Sequence, residues 1–203
     1  MIIAVDGPAA AGKGTIARAL ATHFGYHFLD TGALYRMVGL AVIRNARDPA
    51  DTRAAIAAAT SLDPSGFADR DLRTEAVGAA ASIVAVVPEV RSALLSLQRD
   101  FARKQPGAVL DGRDIGTVVC PDADVKLYVT ASPEVRASRR QKELGAASYA
   151  DVLAEIKARD LRDSQRVTAP LLPAKDAVIL DTSELDIAAA VEAAIAVADR
   201  RRR

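Results

Sequence analysis

Lys13 is the first residue of the chain equipped to act on a phosphate. It stands in Gly7-Pro8-Ala9-Ala10-Ala11-Gly12-Lys13-Gly14-Thr15, a G-x-x-x-x-G-K-G-T run. Glycines let such a backbone curl until several N–H groups point at one spot. The start of a helix adds partial positive charge there, and Lys13 adds a full one. This chemistry suits the phosphates of a nucleoside triphosphate. Arg36, Arg73, Arg113, Arg139, Arg159, Arg162 and Arg166 all lie in or next to expected loops and helix ends. A lone arginine is ordinarily a solvated surface residue. A second phosphorylated molecule beside a triphosphate, however, puts roughly six negative charges in one cleft, at about two per terminal phosphate. Forked, permanently charged guanidinium groups neutralise that load and orient its oxygens.

The complement is short of bases. His23 and His27 are the only two histidines, and both sit beside aromatic residues near the end of the first helix. Transfer to an alcohol needs a carboxylate or histidine to take the hydroxyl proton. A phosphate acceptor does not, because with a second pKa near about 6 it is mostly a dianion at neutral pH. Rich in arginine and poor in bases, the set fits transfer from one nucleotide to another. Where many phosphate loops place a metal-ligating hydroxyl directly after the lysine, this one has Gly14, with the hydroxyl one place later at Thr15. Mg²⁺ is therefore expected to be held mainly by phosphates and water, with Asp111 or Asp30 in the shell beyond.

The elements that must position these groups read as an alternation. Ile2 to Val5 is an apolar, β-branched run suited to a buried strand, and a helical pattern starts at Lys13. Residues 26–30 form a second short strand, after which Thr31 is expected to cap a helix beginning near Ala33. Residues 50–60 are an alanine-rich helix, and 72–104 two helices broken at Val87-Pro88. Residues 108–112 and 124–131 read as strands, and Ser132-Pro133-Glu134 as a helix start. A charged helix over 148–165, a strand over 177–180 and a closing helix over 186–202 complete the chain. Short apolar strands alternating with helices imply an α/β fold, a parallel sheet covered on both faces. Ligands of such sheets sit beyond the carboxyl ends of the strands. That places Asp30, Thr31, Tyr35 and Arg36 after strand two, and Asp111, Arg113 and Asp114 after strand three, at the edge that carries Lys13.

Composition narrows the partners. With 203 residues and a net charge of +1, the chain offers no whole-molecule attraction for nucleic acid. Cys120 is the single cysteine, which excludes an internal disulfide and suits a reducing compartment. No apolar stretch reaches membrane-spanning length, and the strand that feeds the phosphate loop starts at residue 2, leaving no room for a targeting peptide. The expectation is a cytoplasmic protein, with the Arg200 to Arg203 tail a solvated helix end.

Four stretches together resemble the bacterial cytidylate kinase family. They are the loop from Gly7 to Thr15, Leu29-Asp30-Thr31-Gly32-Ala33-Leu34-Tyr35-Arg36, Asp111-Gly112-Arg113-Asp114-Ile115-Gly116-Thr117-Val118-Val119, and Arg159-Asp160 through Pro170-Leu171. The resemblance implies a P-loop NTPase fold with a five-stranded parallel sheet in the order 2-3-1-4-5. It implies one kinase domain with its core in 1–30, 105–132 and 174–203, a nucleoside monophosphate-binding part over about 31–104, and a short lid over about 133–166. The implied reaction is ATP + (d)CMP → ADP + (d)CDP with Mg²⁺, in a cytoplasmic monomer acting on small nucleotides.

Residue by residue, the resemblance gives Gly7, Pro8, Ala9, Ala10, Ala11, Gly12, Lys13, Gly14 and Thr15 to ATP. Arg36 and Arg113 would clamp the CMP phosphate. Arg73 and Asp114 would read the cytosine edge with Thr31 beside them; an aspartate can accept from the amino group that uracil lacks. Asp163 and Arg166 would contact the sugar, and Tyr35 and Asp111 join the CMP side. Arg139 (on the ATP side), Arg159 and Arg162 would close over the transferring group, with Lys13, Arg113, Arg159 and Arg162 acting in catalysis. In one respect the chain departs from the family, whose members commonly carry a strand-containing insert ahead of Leu72-Arg73-Thr74-Glu75. Here only Asp63 to Asp71 fills that place, too short for a sheet.

The rival readings are a kinase of UMP, AMP or a phosphate-free metabolite, and a nucleotide-dependent switch or motor. Against the switch, the chain has no Asn-Lys-x-Asp guanine motif; against the motor, no apolar strand ends in Asp-Glu.

Overall fold

Five strands form one sheet in the order β2-β3-β1-β4-β5: β1 (Ile2–Asp6), β2 (His27–Asp30), β3 (Ala108–Gly112), β4 (Val125–Thr130) and β5 (Val178–Asp181). The structure is a computed structural model and describes residues 1–145 and 148–202. β1 pairs in parallel with β3 and with β4, and β4 with β5. The expected order is therefore the one found. β1 and β3 read as unbroken apolar runs because the sheet buries them from both sides: Ile3, Ala4, Val5, Val109 and Leu110 have no exposed surface.

The chain divides into two compact units. One comprises residues 1–29 and 102–203, the other 30–101. In the first, the sheet is covered by helices α1 (Lys13–Phe24) and α8 (Ile187–Arg202). Ile16, Ala17, Leu20 and Ala21 of α1 join Ala190, Ala194, Val197 and Ala198 of α8 in the same core as Ile3, Val5 and Leu127. Helices α6 (Pro133–Leu144) and α7 (Tyr149–Ser164) belong to this unit too. Ser132 caps α6 through its hydroxyl, which accepts from Val135 N–H, with Pro133 at the first helical position.

The second unit is helical, built from α2 (Thr31–Arg44), α3 (Thr52–Thr60), α4 (Glu75–Val84) and most of α5 (Pro88–Ala102). Helix α2 begins two residues earlier than the sequence suggests. Asp30 is its cap, its carboxylate accepting from Ala33 N–H at 3.1 Å, so Thr31 is the first helical residue and not the cap. Gly39 lets α2 close on α4, since a Cβ there would meet the Ala80 Cβ at 2.9 Å. Residues 63–73 hold two short 3-10 turns, Pro64–Gly66 and Asp71–Arg73, and no strand. In place of an insert, this segment is pinned to α2 by Arg44, which donates to Asp71 at 2.8 Å and lies over the Phe67 ring at 5.3 Å.

Candidate functional site

The phosphate loop leaves the end of β1 through a backbone that only glycine accepts. Gly7 has φ +144°, and a Cβ there would stand 1.9 Å from the Val129 carbonyl oxygen. Gly12 has φ +87° and caps α1 without any side-chain hydrogen bond, which leaves the first N–H groups of the helix to face a ligand. Lys13 is only 6% exposed and folds back over the loop, its Nζ donating to the Pro8 carbonyl at 2.8 Å and lying 4.0 Å from Asp111 Oδ1. Ala10 takes φ +58° at the loop's tip. Thr15 is exposed on the first turn of α1, and a Cβ on Gly14 would lie 3.4 Å from Asp111 Oδ2.

Behind the loop stands a second set of groups. Thr182, at the end of β5 and almost wholly buried, donates from its hydroxyl to Ala11 O or Thr130 O. Arg139 of α6 donates to that hydroxyl at 3.0 Å and to the Thr182 carbonyl at 2.7 Å. Arg136, one turn earlier and 3% exposed, makes four bonds. Nε donates to Ala131 O at 2.9 Å, Nη1 to Ala9 O at 3.2 Å, and the two Nη groups grip Asp160 of α7 at 3.0 and 2.6 Å. A forked guanidinium is the side chain able to tie three segments at once.

Beyond β3 the chain enters a feature the sequence did not announce, a π-helical turn over Ile115–Val119. Asp6, the last residue of β1, accepts from Ile115 N–H at 2.8 Å and from Gly116 N–H at 2.7 Å. Burial pushes the Asp6 carboxyl up to about 7, and the neighbouring Asp114 and Asp111 add to the rise. The two peptide N–H groups pull the other way without cancelling it. Arg113, on the same stretch, donates from Nε to Asp163 Oδ2 of α7 at 3.0 Å and from Nη1 to its neighbour Gly112 O at 3.3 Å. Arg166 lies 3.9 Å from Asp163 Oδ1. Burial works against charge on Asp163, but Arg113, Arg166 and Arg159 outweigh it and hold the carboxyl below the usual carboxylate range.

The sheet-bearing unit thus brings together Lys13, Asp111, Arg113, Asp114, Asp163 and Arg166, with Arg139 behind the loop. Arg159 is half-buried on α7, and Arg162 faces solvent on the same helix. In the helical unit Thr31 is buried at the start of α2, Arg36 is half-buried one turn on, and the Tyr35 ring faces the Arg91 guanidinium at 5.6 Å. Arg73 is exposed at the end of its 3-10 turn. Asp30 spends a carboxylate oxygen on capping α2.

Sequence reasoning passed over Asp6, Arg136, Asp160 and Thr182 as site residues. Asp6 did carry a signal, since a charged residue closing a buried strand obeys the same rule that singled out Asp30 and Asp111. Arg136 and Asp160 are 24 residues apart, and nothing local marks them as partners.

Comparison with known proteins shows the family. A model of the family described as cytidylate kinase matches residues 3–200. The chain is 57% identical to a cytidylate kinase of Rhodospirillum rubrum over an alignment that covers 96% of this chain and 95% of that one. It is 57% identical to a cytidylate kinase of Azorhizobium caulinodans over the whole of both chains. Among solved structures, a gluconokinase from Sinorhizobium meliloti shares the fold, with a TM-score of 0.53 at 16% identity over 98% of this chain and 91% of that one. The chain belongs to the cytidylate kinase family.

Proposed function

We propose that the protein transfers the terminal phosphoryl group of ATP to the phosphate of CMP or dCMP. The observation that carries this reading is the full-length identity to cytidylate kinases, joined to a donor loop whose backbone and lysine suit a triphosphate. In this reading the N–H groups from Gly7 to Thr15, with Lys13, hold the donor phosphates, and Arg139 stands on the ATP side among the arginines that close over the transferring group. Arg36 and Arg113 hold the acceptor phosphate. Thr31, Tyr35, Arg73, Asp111 and Asp114 belong to the cytidine side, and Asp163 and Arg166 to the sugar. Arg159 and Arg162 offset charge on the transferring group, so that catalysis is positioning plus electrostatic stabilisation.

Mg²⁺ fits the donors present. Asp111 lies beside Gly14 and Lys13, where its carboxylate can orient water on an ion held by phosphates. Among the described residues no group of three or more His, Cys, Asp or Glu side chains could hold a metal. The ion, bound with the nucleotide, would supply charge neutralisation along the phosphates.

Among the described residues no single helix is long and apolar enough to cross a membrane. We read the protein as a cytoplasmic monomer whose partners are small nucleotides, with neither nucleic acid nor membrane among them. A panel of CMP, dCMP, UMP and AMP in an ADP-release assay tests the reading. Preference for CMP or dCMP is the expected result; preference for another acceptor overturns it. Appreciable ATP hydrolysis without any acceptor would favour a switch or motor instead.

A further inference from the structure

Asp6 occupies an unusual place. It is the last residue of the central strand, stands directly before Gly7, and is 4% exposed, yet its bonds run sideways to the neighbouring crossover. In the β1–β3 register Asp6 lies opposite Gly112. Three residues beyond Gly112 the π-helical turn opens. Val118 and Val119 N–H both bond to Asp114 O, and Cys120 N–H bonds to Ile115 O at 2.7 Å. The turn is only five residues long, and its first N–H groups lie where no preceding turn supplies a carbonyl. Asp114 caps it by position, without a side-chain cap hydrogen bond to the turn. Ile115 and Gly116 are buried, so water does not serve these donors. Asp6 serves both, one through each carboxylate oxygen.

We propose that Asp6 is a positioning residue for the acceptor side of the site, its carboxylate fixing the turn that follows Arg113 and Asp114 in register with the strand that feeds the phosphate loop. This rests on the reading of Arg113 and Asp114 as CMP-binding residues. The surroundings are built for such a clamp. On the β3 side Asp111 and Asp114 face Asp6, and on β4 Tyr128 lies opposite it in register, close enough for the two groups to influence one another. Lys126, also on β4, spends its ammonium on Asp176 at 2.8 Å and turns only its stem toward Gly116. A Cβ on Gly116 would lie 3.2 Å from Lys126 Cδ and 3.3 Å from Asp6 Oδ2, so the turn sits tightly between the two side chains. Arg113 and Asp114 are joined to that turn by the peptide chain itself. Their side chains go where the clamp sends them.

The test is Asp6→Asn in the full chain, with CMP varied at saturating ATP and ATP varied at saturating CMP. An amide keeps one oxygen but turns an NH2 toward a peptide N–H, so one of the two bonds fails. The expected result is a rise of about tenfold in KM for CMP, with KM for ATP within about twofold of wild type. If both constants rise together, Asp6 acts through the phosphate loop and the proposal is overturned; if neither moves, it is overturned as well. Gly116→Ala strains the same clamp from the other side and carries the same comparison should Asp6→Asn not fold. A CMP-selective rise supports the proposal, and an equal rise or none defeats it. Failure of the functional reading looks different, because wild-type protein would then not phosphorylate CMP at all.

Discussion

Asp6 and Asp163 are two carboxylates largely withdrawn from water in the same unit, held by opposite means. Asp6 is met by peptide N–H groups, Asp163 by the guanidinium groups of Arg113 and Arg166. Peptide dipoles orient a carboxylate but do not neutralise it, and burial leaves the Asp6 carboxyl raised to about 7. Guanidinium charge does neutralise, and Asp163 lies below the ordinary carboxylate range. The difference separates scaffold from tool. A carboxylate bonded to backbone has no partner that a substrate could claim. An arginine resting on a carboxylate can exchange it for a phosphate oxygen, so under the proposed function Asp163 would hold Arg113 extended until an acceptor arrives.

The largest expected effect is on stability against pH. The Asp6 pKa is raised on folding, so its contribution is complete below the ordinary value of 3.8 and lost as pH rises to about 7. Across that window wild type should lose about 4 kcal/mol relative to Asp6→Asn. Denaturant midpoints of the two proteins, compared between pH 4 and 8, measure it. Asp163 should do the reverse, contributing above the ordinary carboxylate range and losing that contribution as pH falls through its lowered value. If both variants shift stability with the same sign, the contrast between the two regions is wrong.

Next in size is Arg113→Ala, which should remove at least ~2 kcal/mol of transition-state stabilisation, about 30-fold in kcat/KM for CMP. An unchanged kcat/KM would show that the arginine only ties α7 to the turn. Asp163→Ala should weaken CMP about tenfold more than ATP in equilibrium titrations; equal losses for both would make it a helix-end structural residue. The smallest effect belongs to the neutral group behind the loop. Thr182→Val removes the hydroxyl that Arg139 and the Ala11 carbonyl share, and one net hydrogen bond of about 1 kcal/mol predicts roughly a fivefold rise in KM for ATP. A comparable rise for CMP would refute its assignment to the donor side.

Much of this fold is legible in the chain because its signals are local. Apolar runs of four or five residues mark the buried strands, Ser132-Pro133 marks the start of α6, and the alternation of the two patterns yields the sheet. The start of helix α2 is ambiguous in the sequence because Asp30 and Thr31 are both good caps, and propensity alone does not choose between neighbours. The rule that charged residues after buried strands face the ligand edge picked out Asp111, Arg113 and Asp114. Arg166 stood out as one of the arginines near helix ends, while Asp163 entered through the family resemblance. Asp6 obeys the same rule, but it closes β1 directly before the glycine loop, whose own motif drew the reading past it. The π-helical turn escaped too, since Ile115-Gly116-Thr117-Val118-Val119 reads as a strand or a loop by composition. Its geometry is set by a residue more than a hundred positions away.

Arg136 has a mechanical consequence. It ties Ala9 of the donor loop to the root of α6 and, through Asp160, to α7, while Ala10 packs with Ala137, Val152 and Ile156. The α6–α7 pair is thus anchored on the phosphate loop itself. Helix α6 has 12 residues and spans about 18 Å. Were the loop to move on binding phosphate, α6 pivoting at Arg136 would carry its far end near Leu144 further than its root. Amplification of this kind needs no separate hinge residue, only a stiff rod with a buried guanidinium at its short end.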